Sequence, residues 1–407
     1  MSRFRSDLLR LLSMTMVLAI HATGTYEYSF IASHDFLSQD FLAVFLNQLA
    51  RFSVPVFVTL SGFGLTMKYG LLTTKNGKSL DQITVPWSFY GERLYKIGLP
   101  FLFWSVLYLA IQGYFKGPYN WQWIMDLLPF LYRKGADYHF YFFHIIFECY
   151  LLFPLLAWAF ARLKKLRLPV LLLSLLLQLY VSSPAHIWFD DFPRVPFVFS
   201  AFFLYWQFPF ILGIYFAFRN LESSSPQEKS NKNADGNPVK RASEGKSATL
   251  LRKESNLDGP VLSRKSILSL TLLFCLVTFT VVMIEYIFWS YNSRSPGDFN
   301  HFTRMSVVFY SGAFFLMFYF WPSSNEKTEK KFYSGWERNV SYLAGLSFFV
   351  YIVHTWILRG LELILPQWLL PILLLLISIS FLLATLLDRI VRPTHLRTML
   401  GLEKRKG

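Results

Sequence analysis

Two stretches of this chain, 170–180 and 372–387, are apolar all the way round a helix, where a helix in water would keep a polar face. Comparable runs recur along most of its 407 residues, so the solvent for most of the chain is lipid. A hydrocarbon core of about 30 Å needs roughly 20 helical residues. On that ruler the sequence predicts an all-α, polytopic integral membrane protein of about ten transmembrane helices. The spans fall at 8–27, 41–67, 97–115, 139–162, 168–182, 198–218, 266–290, 302–321, 339–360 and 367–388. Composition agrees. Only 16% of residues are charged, against roughly 25% in a soluble domain.

Lys and Arg alternate in density between successive loops. The N-terminus, 68–96, 162–167, 219–265, 322–338 and the tail from 389 hold 32 of the 40 basic residues. The opposite loops hold Lys116, Arg133, Lys134, Arg194, Arg294, Arg304 and Arg359, and Arg51 lies within a span. The positive-inside rule makes the rich set cytoplasmic, with both termini on that side. The same clustering explains the formal charge of +15 without nucleic acid as a partner.

The expected organisation is a membrane domain over 1–219, a disordered basic linker over 220–265, a second membrane portion over 266–388 and a cytoplasmic tail over 389–407. The linker is rich in Ser, Asn, Lys and Gly and poor in aromatics. The first span is no cleaved signal peptide, because His21 interrupts it and no small-residue cleavage site follows. Cys149 and Cys275 lie inside apolar runs, which argues against a disulfide framework or a thiolate metal site. His139 and His144, five residues apart, would point about 140° away from each other on a helix, and no metal is expected.

An ionisable residue within a span is costly unless it faces a cavity or a partner. Those residues are His21, Arg51, His144, Glu148, Glu285 and His354, with His139 and Arg304 at outer boundaries. Their depths converge on the middle and outer half of the bilayer. Arg10 and His21 are separated by about 1100° of helix, so they share a face, His21 roughly 16 Å deeper. Arg10 reads equally as a snorkelling anchor or as part of an anion site. Ser347, Tyr351 and His354 are spaced i, i+4, i+7 and share a face as well. Pro55 is expected to loosen the helix near Arg51, for which a structural ion pair with Glu148 or Glu285 is the simpler alternative.

These residues resemble a known family. Arg5-Ser6-Asp7-Leu8-Leu9-Arg10 followed by His21 matches the R-x-D-x-L-R start and R-x10-H spacing of the acyltransferase-3 integral membrane acyltransferases. Residues 51–63, 138–154, 208–215 and 347–354 resemble the same family in order. The set is most similar to its WecH-like, surface-polysaccharide O-acetyltransferase branch. Leu12 and Ser13 depart slightly from the small residue that often continues the first motif.

The resemblance implies transfer of an acyl group, usually acetyl from acetyl-CoA, to a hydroxyl of a surface polysaccharide or lipid-linked sugar. It carries over Arg10 and His21 as catalytic residues and implies a bacterial plasma membrane. Some relatives carry an extracytoplasmic hydrolase-like domain, so a separate partner protein on that side is one expectation here.

A sugar hydroxyl needs a base and an oxyanion stabiliser at neutral pH. His21, of a residue type with an unperturbed pKa near 6.5, is expected to be the base. Arg10, Arg93 and Lys96 are expected to hold the CoA phosphates. Arg51, Tyr351 or His354 would stabilise the oxyanion or orient the acceptor, with His139, His144, Glu148 and Glu285 on the acceptor side. The rivals are a glycan or lipid transporter without chemistry and a non-catalytic sensor. The absence of an inverted repeat counts against the transporter, and dependence on acyl-CoA separates the enzyme from both.

Overall fold

The structure is a computed structural model. It describes residues 1–113, 121, 123, 125, 135–182, 202–224, 264–292, 295–321, 330–365 and 368–402. Among these, the regular elements are helices with no strand. Those of six residues or more are α1 Arg3–Ser33, α2 Gln39–Ala50, α3 Ser53–Lys75, α4 Ser88–Arg93, α5 Leu99–Ile111, α6 Tyr141–Arg162 and α7 Arg167–Val181, followed by α8 Gln207–Ser224, α9 Arg264–Asn292, α10 Met305–Phe320, α11 Lys330–Ile364, α12 Leu369–Ile390 and α13 Thr394–Leu400.

Local chemistry explains several boundaries. The Ser2 and Ser38 hydroxyls accept from the Arg5 and Phe41 amides and cap α1 and α2. The single predicted span at 41–67 is broken at Arg51–Phe52, between α2 and α3. Pro55 lacks the N–H that would bond to the Arg51 carbonyl four residues earlier, and its ring crowds that carbonyl. A π-helical stretch, Leu94–Gly98, joins α4 to α5.

Among the described residues seven helical stretches are long and apolar enough to cross a membrane: Arg3–Ser33, Gln39–Lys75, Ser88–Ile111, Tyr138–Arg162, Ser266–Asn292, Gly335–Ile364 and Leu369–Ile390. This is a polytopic membrane protein. The remaining three predicted spans correspond to α7, α8 and α10. With 15 and 16 residues, α7 and α10 extend only about 22–24 Å, short of a 30 Å core. The start of the sixth span, 198–201, and linker residues 225–263 lie outside the described residues. Leu151, Leu173, Leu276 and Leu374 present more than half of their surface outward, as lipid-facing side chains do.

Contacts between the loop-proximal ends reproduce the charge pattern. The N-terminal amine hydrogen-bonds Asn220 at the end of α8. Arg5 donates to Trp321 O, and Ser341 donates to Asp7. Lys68 pairs with Glu92, and Arg167 pairs with Glu222. Each partner belongs to, or borders, the basic set of segments, so these meet at one end of the bundle. At the other end His34 bonds Ser290, and Gln39 accepts from the Leu369 amide.

Helix α1 is the hub, packed against α2, α3, α10, α11 and α12. Helices α3 and α8 approach most closely through two glycines. A Cβ on Gly62 would collide with the Phe210 carbonyl oxygen, and one on Gly213 with that of Thr59. Small residues of this kind let membrane helices touch backbone to backbone.

Candidate functional site

A cavity of about 600 Å³ opens among α1, α3, α6, α11 and the α4–α5 stretch. Arg10, Arg93 and Lys96 line it at the basic end, and His21, Ser347 and Tyr351 line it deeper. Phe57, Ile146, Phe302 and Phe348 make the wall between them largely apolar. Six residues singled out in the sequence thus share one chamber: Arg10, His21, Arg93, Lys96, Ser347 and Tyr351.

The basic end is set up by the first motif. Asp7 lies 3.6 Å from the Arg10 guanidinium and accepts from Ser341 of α11 at 2.7 Å. One carboxylate therefore aims Arg10 and ties α1 to α11. The Arg93 side chain runs over the rings of Phe89 and Tyr150, at 5.4 and 5.6 Å from their centroids. Its Nη2 is 3.9 Å from Glu92, while its Nε is buried without a hydrogen bond. Lys96 is half exposed, so this end of the cavity reaches the protein surface.

His21 sits at the deep end beneath three rings. Its centroid is 4.8 Å from His354, 5.2 Å from Tyr138 and 6.5 Å from His139. His354 Nδ1 lies 2.7 Å from the Tyr351 carbonyl, an acceptor, so Nδ1 carries the hydrogen. Its Nε2 then holds a lone pair, buried without a partner. His139, fully buried, has Nδ1 3.4 Å from Asp137 Oδ1 and Nε2 3.3 Å from the Ile352 carbonyl. Asp137 is ion-paired to Arg359 at 2.7 Å. Burial works to raise the pKa of Asp137, but the hydrogen bond and charge of His139 and the charge of Arg359 outweigh it and hold the carboxyl below its usual range. A chain of polar groups thus leads from His21 through His354 and His139 to Asp137 and the half-exposed Arg359.

The other sequence candidates lie outside the cavity. Arg51 pairs with Glu27 at 3.5 Å, not with Glu148 or Glu285, and donates to Asn47 Oδ1 at 2.9 Å. Glu27 also accepts from Asn300 at 2.5 Å. Arg304 donates to Gln48 at 2.6 Å and lies 3.9 Å from Glu285, which accepts from Ser306. These groups form a second buried network joining α1, α2, α9 and the segment before α10. Glu148 accepts from the Phe203 amide at 2.5 Å and so caps a 3-10 turn. His144 packs edge-on to Phe101 at 5.7 Å. The single polar cavity expected from depth is therefore a cavity with His354 and His139 behind it, plus a separate network around Arg51. The Tyr351 hydroxyl donates to the His139 carbonyl.

Asp137, Tyr138 and Glu27 are site or network residues that the sequence reading passed over. Glu27 was detectable: it is an acidic residue ending the first predicted span, by the same criterion that marked Arg51. Asp137 falls two residues before the predicted fourth span, and only the fold brings it under Arg359. Among the described residues no group of three or more His, Cys, Asp or Glu side chains is placed to hold a metal ion.

No curated protein and no solved structure matches the chain. A family model does, the acyltransferase domain of the acyltransferase-3 family, over residues 4–389. That range takes in the Asp7–Arg10–His21 face of α1, the Arg93–Lys96 stretch and the Ser347–His354 face of α11. The chain belongs to the acyltransferase-3 family of membrane acyltransferases.

Proposed function

We propose that this protein moves an acetyl group from cytoplasmic acetyl-CoA to a hydroxyl of a surface polysaccharide or lipid-linked sugar, in the plasma membrane of a bacterium and within the surface-polysaccharide O-acetyltransferase branch of its family. One observation carries the reading. Three cations line one end of a single cavity and His21 the other, Arg10 and His21 being about three helical turns apart along α1. The cations suit the phosphates of CoA, guanidinium pairing with phosphate through charged hydrogen bonds. The apolar wall suits the thin arm that links those phosphates to the thioester.

In this reading His21 takes the proton of the acceptor hydroxyl as its oxygen attacks the thioester carbonyl. The tetrahedral oxyanion collapses, the C–S bond breaks, and the CoA thiolate leaves with the proton from His21. Ser347 supports the oxyanion: it lines the cavity, and its Oγ is buried without a hydrogen-bond partner. Tyr351 is spoken for by the His139 carbonyl, so its role is to hold that histidine. His354 and His139 orient His21 and share its charge during the step. Arg51 and Glu285 support the fold around the acceptor side. The acyl group crosses the bilayer while the nucleotide stays at the basic end.

The purified full chain in liposomes, given acetyl-CoA labelled in the acetyl group and a membrane glycolipid extract, is expected to put label into the glycan fraction. Movement of glycolipid across the bilayer with no acetyl-CoA requirement and no label in the glycan would instead favour a transporter.

A further inference from the structure

The cavity has a wall that the family match does not reach. The match ends at residue 389, yet Thr398, Gly401 and Leu402 line the chamber beside Arg93 and Lys96. They belong to α13 and the turn that follows it. The sequence gives this short helix little reason to stand alone, since seven residues are well below what holds a helix in water. Tertiary contacts hold it. The Arg397 guanidinium, almost fully buried, is ion-paired with Asp388 and donates to the carbonyls of Asp388 and Val391 at 2.9 and 3.0 Å. Trp104 Nε1 of α5 reaches the Leu400 carbonyl at 3.4 Å, and His395 Nδ1 bonds the Tyr95 hydroxyl at 2.8 Å.

Gly401 completes the seal. It turns the chain at φ +83°, a conformation that disfavours a side chain. A Cβ there would also stand 2.9 Å from the Phe348 ring and 3.2 Å from Ile352. The turn therefore lies flush on α11 while α13 packs on α5 and on Leu94–Gly98, the stretch that carries Lys96.

We infer that α13 is the donor-selecting wall of the site: it positions Arg93 and Lys96 for the phosphates and offers Thr398 to the amide-bearing arm of a CoA thioester. The inference rests on the reading that CoA enters at this end. Thr398 Oγ1 donates to the Thr394 carbonyl at 3.0 Å, which leaves its lone pairs to accept from an amide N–H. Leu402 and Phe348 supply the apolar surface on either side. Tyr95 and His395 do not line the cavity, so they are positioning residues that act through the Leu94–Gly98 stretch.

Two ligands separate the two roles. CoA carries both phosphates and arm, whereas adenosine 3′,5′-bisphosphate has phosphates alone. Titrated into the full-length protein in nanodiscs, Thr398→Val is expected to weaken CoA about three- to tenfold, the worth of one neutral hydrogen bond, and to leave the bisphosphate unchanged. His395→Phe is expected to weaken both ligands by similar factors. In the transfer assay both variants raise KM for acetyl-CoA and leave the acceptor KM within about twofold. CoA binding by wild type with unchanged affinity in both variants overturns the role of α13 alone. So does an effect confined to the acceptor KM. Failure of wild type to bind CoA overturns the donor reading, and this inference with it.

Discussion

His354 holds its ring 4.8 Å from that of His21, and its buried Nε2 has no hydrogen-bond partner while its Nδ1 bonds the Tyr351 carbonyl. A buried lone pair beside a proposed base is a reason to expect help in proton handling. His354→Phe keeps an aromatic ring and loses both nitrogens. It is expected to lower kcat about tenfold to a hundredfold, below the full worth of a general base, with KM for acetyl-CoA unchanged. Steady-state kinetics check this; an unaltered kcat would make His354 a packing residue.

The Asp137–Arg359 pair gives a signed dependence on pH. The Asp137 carboxyl is held below its usual range, so the stability it confers is fully present above its unfolded pKa near 3.9. That stability is lost as pH falls through the lower folded value. The difference in thermal unfolding between wild type and Asp137→Asn is therefore expected to stay constant from about pH 6 to 8 and to shrink below about pH 4. A difference that grows on acidification would contradict the assignment.

Breaking the second network should unfold rather than inactivate. Arg51 and Glu27 are each less than a tenth exposed. Removing one partner of such a pair costs about 3–5 kcal/mol, because a buried charge is left behind. Glu27→Ala is expected to lower the thermal stability of the purified protein sharply. Adding Arg51→Met is expected to restore part of it, since neither charge of the pair then remains. Thermal unfolding of the two variants in detergent reads both effects.

The α3–α8 contact makes a sharper steric test. Gly213→Ala puts a methyl group onto the Thr59 carbonyl and the Phe63 amide, backbone atoms that cannot step aside. Gly64→Ala, on the partner helix α3, meets nothing within 4 Å. The first is expected to cost about 1–3 kcal/mol or more and to reduce the yield of monodisperse protein. The second is expected to behave as wild type by size-exclusion chromatography and thermal unfolding.

Much of this was legible in the chain because lipid is a simple solvent. Apolar length and basic loops are local signals, and they marked the helices and the end of the bundle where their charged loops gather. Arg10 and His21 were legible for the same reason: a fixed helical pitch puts them on one face. What remained hidden depends on which helix packs on which. His354 and His139 sit behind His21 only because α11 and the Tyr138–Phe140 turn close over α1. Arg51 meets Glu27 because α2 packs on the second half of α1, Asn47 reaching Ile20 and Thr23 and Gln48 reaching Glu27. Thr398 and Gly401 carry no motif at all, and their place in the wall comes from where Arg397 and Trp104 hold α13.

The central claim is that His21 acts as the base in a cavity whose cations hold the donor. Its most direct test is a paired measurement on wild type and His21→Ala, CoA binding by titration and acetyl transfer by single turnover. The account predicts that His21→Ala binds CoA within about threefold of wild type and loses transfer by about a hundredfold or more. Transfer at close to the wild-type rate in that variant would contradict it.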